Sequence, residues 1–191
     1  MHHPPLANTR SATGINTAKL ATWWVIASEI VIFVGLLVSY LLFRLHHTEW
    51  AQEAEHTNTA AGAFNTFVLL TSSFFVVLAH KAAEEKNGAK AARFLGYTIL
   101  GGLTFMMVKA YEYTHEIQHG FTMFKSVFWS FYYTATGLHG LHVMAGMVIM
   151  FIVGRDAKKG RNLHRVECIG IYWHFVDLVW IFLFPLLYIA K

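Results

Sequence analysis

Charge is scarce in this chain. Asp, Glu, Lys and Arg together make up only 14% of its 191 residues, where a soluble domain averages about 25%. An ordinary water-facing globule does not fit that composition. Cysteine occurs once, as Cys168, which excludes a disulfide within the chain and any cysteine cluster for a metal. Proline occurs three times. Pro4 and Pro5 precede the apolar runs, and Pro185 lies inside the last one, where a membrane helix tolerates it if freed carbonyls find partners. Residues 1–19 lack the apolar stretch of a signal peptide. The strict apolar/polar alternation of a transmembrane barrel is missing too.

What is present is apolar and aromatic. Hydrophobic residues make up 55% of the chain, with 16 Phe, 8 Tyr and 6 Trp. Five apolar runs stand out, at residues 21–43, 64–80, 94–111, 127–153 and 168–189. Each is close to the 20 or so residues needed to cross a bilayer. The sequence therefore predicts an all-α integral membrane bundle of five transmembrane helices. Residues 1–19 read as a polar N-terminal tail and 20–191 as one membrane domain. Short connections predict antiparallel neighbours.

The basic residues orient the bundle. Eleven of them lie before the first run, between the second and third, and between the fourth and fifth. Arg44, Lys125 and Lys191 lie on the other side, and Lys109 falls near a helix end. Basic loops stay cytoplasmic, so the N-terminus is expected inside and the C-terminus outside. The net charge of +4 is accounted for by these loops and calls for no nucleic-acid partner.

Several polar residues interrupt the apolar runs. Glu29 stands roughly 12 Å into the first span at 1.5 Å per residue. An ionised carboxylate is costly there, so it is expected protonated or paired. It reads either as a proton-linked or lipid-contacting carboxyl, or as a hydrogen-bonded group inside the bundle. His139 and His142, at i and i+3, share a helix face beside Gly137 and Gly140, which allow close helix approach. Two histidines fall short of the ligand set a closed metal site needs. Glu112–His115 and Glu116–His119 repeat the Glu-x-x-His spacing of di-iron bundles, but such sites draw it from separate helices. No metal is expected in this chain. His174 and Asp177 also share a face, with a neutral imidazole donating to the carboxylate as the plain reading. With Tyr172 they form a polar seam that sets helix register. His80 closes the second span as a headgroup contact or an interfacial histidine. Trp23, Trp24, Tyr40, Trp50, Trp129, Tyr132 and Tyr133 lie near span ends and read as interfacial belts.

Two strings go further. YWHFVDLVWIFLF in the last run and ATGLHGLHVMAG in the fourth closely resemble the final two helices of subunit III of the haem-copper respiratory oxidases. WWVIASEIVIFVG, NTFVLLTSSFFVVLAHKA and FMMVKAYEYTHE resemble the preceding helices, so the resemblance covers residues 22–188. It places Glu29 on the family's membrane carboxylate and Glu112 with Tyr113 on its acidic–aromatic pair. Glu167 falls at the family's position before YWHF. The longest members have seven helices, with phospholipid held in a cleft between the first two and the other five. Five helices match the shorter bacterial form, in which part of that cleft is open or filled by another chain.

The resemblance implies a multi-pass protein of the bacterial inner membrane. It implies a non-redox subunit of a proton-pumping terminal oxidase, which reduces oxygen to water with electrons from cytochrome c or quinol. Haem and copper are then expected in partner subunits, with no catalytic centre in this chain. Subunit I is the main partner, with subunit II, other oxidase subunits and bound phospholipid, and a respiratory supercomplex beyond. His80 and Arg155 are the lipid-headgroup candidates; a loop arginine near position 155 contacts lipid phosphate in the family. Glu112, His139, His142, Glu167, Tyr172, His174 and Asp177 form the structural polar set. Two rival readings remain at this stage. One is a stand-alone histidine-rich metalloenzyme using His115, His119, His139 and His142. The other is a small proton-coupled transporter using Glu29.

Overall fold

The computed structural model describes residues 17–46 and 50–190. Pro4, Pro5, Arg10 and Lys191 lie outside them. Five long apolar helices account for most of the described residues, and no strand occurs among them. They are α1 (Thr17–His46), α3 (Thr59–Glu84), α4 (Gly88–Gln118), α5 (Val127–Lys158) and α6 (His164–Phe184). A short helix, α2 (Trp50–Glu55), lies between the first two, and a π-helical turn, Pro185–Ile189, ends α6. The first helix begins inside the stretch read as a tail, at Thr17. With 21 to 32 residues apiece, most of these helices outrun a hydrocarbon core about 30 Å thick. Their polar ends therefore continue the helix beyond the apolar runs.

The boundaries follow from local chemistry. Asn58, Asn87 and Ser126 cap α3, α4 and α5, their side-chain oxygens accepting from the backbone N–H of Ala61, Lys90 and Trp129 at 3.1, 3.0 and 3.4 Å. These bonds use donors that a helix start leaves orphaned. The same three helices finish alike. In α5, Gly160 has φ +69°, its N–H reaches Ala157 O, and the N–H of Arg161 reaches Asp156 O. Gly120 ends α4 this way, and Lys86 ends α3 at φ 57°. This paired return of N–H groups satisfies the last carbonyls, and the chain can reverse within a few residues.

The bundle is centred on α6. Of the residues in its most apolar stretch, 50% are buried inside the chain, against 17% in α1. α6 packs on α3 and α5, α4 packs on α3 and α5, and α1 leans on α6 at one edge. Small residues set the approach. A Cβ at Gly102 or Gly146 would stand 3.1 or 3.0 Å from the Trp173 ring, and one at Gly101 would stand 2.7 Å from Ser72. Trp173 is fully buried there, and its indole N–H donates to Ser72 Oγ at 3.0 Å. Close backbones and polar cross-links hold membrane helices together where lipid removes the usual hydrophobic drive.

The aromatic belt is only partly a belt. Trp23 and Trp24 are exposed as expected, but Tyr40, Trp50, Trp129 and Tyr132 are buried. For Tyr40, Trp50 and Trp129 the reason is α2, which no periodicity announced in six residues. Trp129 Nε1 donates to Glu53 Oε2 on α2 at 2.6 Å, and Trp50 Nε1 donates to Tyr40 Oη at 3.0 Å. Tyr40 Oη then donates to the carbonyl of Leu186 at 2.7 Å, and Thr59 Oγ1 to that of Tyr188 at 3.1 Å. The turn after Pro185 is thus tied to α1 and α3.

Candidate functional site

The membrane carboxylate has a partner. α1 carries Glu29 near its midpoint, and α5 presents His142 to it, with His142 Nε2 2.9 Å from Glu29 Oε2. The other ring nitrogen, Nδ1, faces the carbonyl of Leu138 at 2.8 Å. That carbonyl can only accept, so Nδ1 carries a proton. Phe33 lies edge-on to the imidazole at 5.2 Å, and Tyr172 Oη on α6 donates to the backbone carbonyl of His142 at 3.2 Å. Glu29, His142 and Tyr172 thus join α1, α5 and α6, with Glu29 and His142 near the middle of their helices.

A second polar centre was not anticipated. Lys109 does not sit at a helix end. α4 runs seven residues past its apolar stretch, to Gln118, and buries Lys109. Its Nζ donates to Glu112 Oε2 at 2.9 Å, Tyr132 Oη at 3.0 Å and Tyr188 Oη at 2.7 Å. Tyr132 Oη donates in turn to Glu116 Oε1 at 2.9 Å. The ammonium also lies 4.8 Å from the ring centres of Tyr113 and Tyr132, a favourable placement for a cation. The signal was present in the sequence: Lys109, Glu112 and Glu116 recur at i, i+3 and i+7, one face of a helix. This centre ties α4 to α5 and to the turn after α6.

The remaining residues of the polar set are dispersed. Glu167 pairs with Lys19 at 2.5 Å, joining α6 to α1. His139 is fully buried, yet neither ring nitrogen finds a hydrogen-bond partner among the described residues. It packs instead against Phe105 and Trp180, at 5.4 and 5.2 Å between ring centres. The expected His174–Asp177 bond is not made. His174 Nδ1 lies 2.6 Å from Ser73 Oγ on α3, and both Asp177 oxygens are buried without a hydrogen-bond partner among the described residues. Sharing a helix face did not make these two side chains bond, and the imidazole instead meets a hydroxyl on α3.

The lipid-headgroup candidates differ. Arg155 and Lys158 stand at the mouth of an apolar groove of about 200 Å³ between α4 and α5, lined by Leu95, Ile99, Met150 and Phe151. His80 faces Glu84 on its own helix at 3.5 Å. A larger groove of about 400 Å³ separates α1 from α5 and α6, with Arg165 and Cys168 on its rim and Val25, Ile149 and Ile152 on its walls.

The four histidines of the metalloenzyme reading are scattered. His115 and His119 lie at a tilt, 4.3 Å between ring centres, near the end of α4, His139 is enclosed by aromatics and His142 holds Glu29. Among the described residues no three His, Cys, Asp or Glu side chains converge as metal ligands.

These features describe an all-helical, multi-pass membrane protein whose polar groups mostly bond one helix to another. The sequence pattern of the family described as Cytochrome c oxidase subunit III matches residues 8–191. The cytochrome c oxidase subunit 3 of Corynebacterium diphtheriae is 32% identical over 183 residues, covering 92% of this chain and 89% of the relative. That of Bacillus subtilis is 34% identical over 177 residues, with 89% and 84% covered. A probable cytochrome c oxidase subunit 3 of Rickettsia conorii is 43% identical over 131 residues, but the match spans only 45% of that longer chain. The chain belongs to the cytochrome c oxidase subunit III family. It is a multi-pass bacterial membrane protein and a subunit of an oxidase complex, in association with other oxidase subunits.

Proposed function

We propose that this chain is the non-redox supporting subunit of a proton-pumping terminal oxidase. It packs on subunit I, holds phospholipid, and supports proton uptake and the durability of the complex. Haem and copper reside in partner subunits, and the electrons come from cytochrome c or quinol. The observation that carries this reading is how the polar groups are used. Glu29–His142, Lys109–Glu112 and Lys19–Glu167 each tie helices or helical turns together, while the large grooves are apolar with cations at their rims. Purifying the complex through a tag on this chain is expected to bring down haem- and copper-bearing subunits. Deleting the chain is expected to leave haem and copper per complex unchanged and to shorten the time for which the enzyme stays active. Loss of a metal centre on deletion would overturn the reading.

Lipid binding rests on Arg155. A cation just past a span attracts anionic headgroups by about 1 kcal/mol near the surface, and the groove beneath Arg155 suits acyl chains. Arg155→Ala is expected to lower the number of phospholipids that co-purify, counted by mass spectrometry. An unchanged count would remove Arg155 from the site.

The orientation follows the charge asymmetry, with the 158–165 loop in the cytoplasm. In a Cys168→Ser background, a cysteine introduced by Lys159→Cys is expected to resist impermeant thiol reagents in intact cells and to react after lysis. Labelling of intact cells would invert the topology.

A further inference from the structure

The polar centre around Lys109 carries one negative charge more than its packing uses. Glu112 and Glu116 are each only 3% exposed, and one ammonium faces the two. Lys109 spends its three protons on Glu112 Oε2, Tyr132 and Tyr188. Tyr132 then donates to Glu116 Oε1. Glu112 Oε1 and Glu116 Oε2 stay buried with no hydrogen-bond partner among the described residues. Both residues line a polar cavity of about 70 Å³ that His56, Asn58, Tyr111 and His115 complete. This cavity lies at the end of the bundle away from the 85–87 and 159–163 connections.

The neighbouring charged and titratable groups make contacts of their own, with His56 and His115 lining the cavity itself. On α4, Tyr113 meets Thr136 at 2.5 Å and the His115 ring lies tilted against His119. On α5, Tyr133 faces Glu116 and donates to the carbonyl of Phe121. Ahead of α3, His56 lies against Phe121 at 4.5 Å. On α2, Glu53 takes the indole of Trp129. On the turn after α6, Tyr188 is bonded to Lys109 and Tyr132. No second cation balances the pair through these contacts.

We propose that this cavity is a hydrated proton-holding site. Water bridges Glu112 Oε1 and Glu116 Oε2, and the pair keeps one exchangeable proton, resident on Glu116 Oε2. Glu112 is the weaker candidate because it receives the ammonium directly. An uncompensated buried charge is far costlier than a neutral acid, and the acid's O–H donates where the carboxylate only accepts. A cavity of this size, with two free carboxyl oxygens, meets the room and the partners a buried water needs. The exchange is a proton transfer alone: hydronium from the adjoining aqueous phase gives its proton to the Glu116 carboxylate, leaving water and a carboxylic acid. This assignment does not rest on the supporting role proposed above.

Infrared spectra of the intact oxidase complex test it, comparing wild type with Glu116→Gln in H2O and D2O buffer. The expected result is a carboxylic-acid C=O band in wild type that shifts down on brief exchange into D2O and is missing from Glu116→Gln. Should Glu116→Gln not assemble, Glu112→Gln reads the same balance. One carboxylate then faces one ammonium, and the acid band is expected to vanish although Glu116 is intact. Wild-type and variant spectra that show no difference in the carboxylic-acid region would overturn the proposal. So would a variant-sensitive band that does not respond to D2O, since that cavity would be dry.

Discussion

Lys109→Met is expected to be the most damaging single change in the bundle, lowering its stability by about 3–5 kcal/mol. That is the usual cost of removing one partner of a buried ion pair. The substitution strands Glu112 Oε2 and removes the donor to Tyr132 and Tyr188, which together join α4, α5 and the turn after α6. Met roughly matches the lysine stem in volume, so packing loss is small and the effect reports on charge. The double variant Lys109→Met with Glu112→Gln tests that logic. It eliminates both charges of the pair, and replacing a buried pair with neutral groups is often close to neutral. Denaturation of the purified complex in increasing detergent, read as release of this subunit, is expected to show a large loss for Lys109→Met and substantial recovery in the double variant. Equal loss in both would mean that lysine packing, not charge balance, holds the three elements.

The second large effect is expected at Glu29. Glu29→Leu leaves His142 Nε2 facing hydrocarbon, and an orphaned buried polar group costs about 1–3 kcal/mol. The link between α1 and α5 goes with it. Most of the apolar surface of α1 faces outward, so beyond the Glu29–His142 contact it is held mainly through α6 and its terminal turn, by Lys19–Glu167 and Tyr40–Leu186. The expected outcome is weaker retention of the subunit or a shorter active lifetime of the oxidase. Glu29→Gln keeps the size and a group able to bond His142, so assembly and initial turnover are expected to survive. Proton pumping in reconstituted vesicles separates support from mechanism. If Glu29 relayed pumped protons, Glu29→Gln would abolish pumping at normal assembly and haem content. The paired geometry argues for support, because His142 Nδ1 is committed to the Leu138 carbonyl and only Nε2 engages Glu29.

What the sequence determined by itself is the membrane architecture. Length and hydropathy are local properties, so five apolar runs joined by short polar connections were enough to predict five helices and roughly where they turn. The long strings around Glu29, His142 and Trp173 were enough to predict the family. Partner choice is not local, and only the tertiary structure decided it. Glu29 and His142 lie 113 residues apart, and nothing in either helix says that they meet. The i, i+3 spacing of His174 and Asp177 predicted a bond that is not made, and His174 meets Ser73 of another helix instead. Lys109 read as a helix-end residue because the apolar run stops near it. It became the centre of a buried polar cluster because the acids beyond it, once paired inside the bundle, let α4 continue. Part of the belt reading gave way for the same reason: a six-residue helix has no period to detect, yet once docked it buries its own Trp50 against Tyr40 and takes the indole of Trp129 on Glu53. Burial depends on which surface arrives from elsewhere in the chain, and composition carries no record of that.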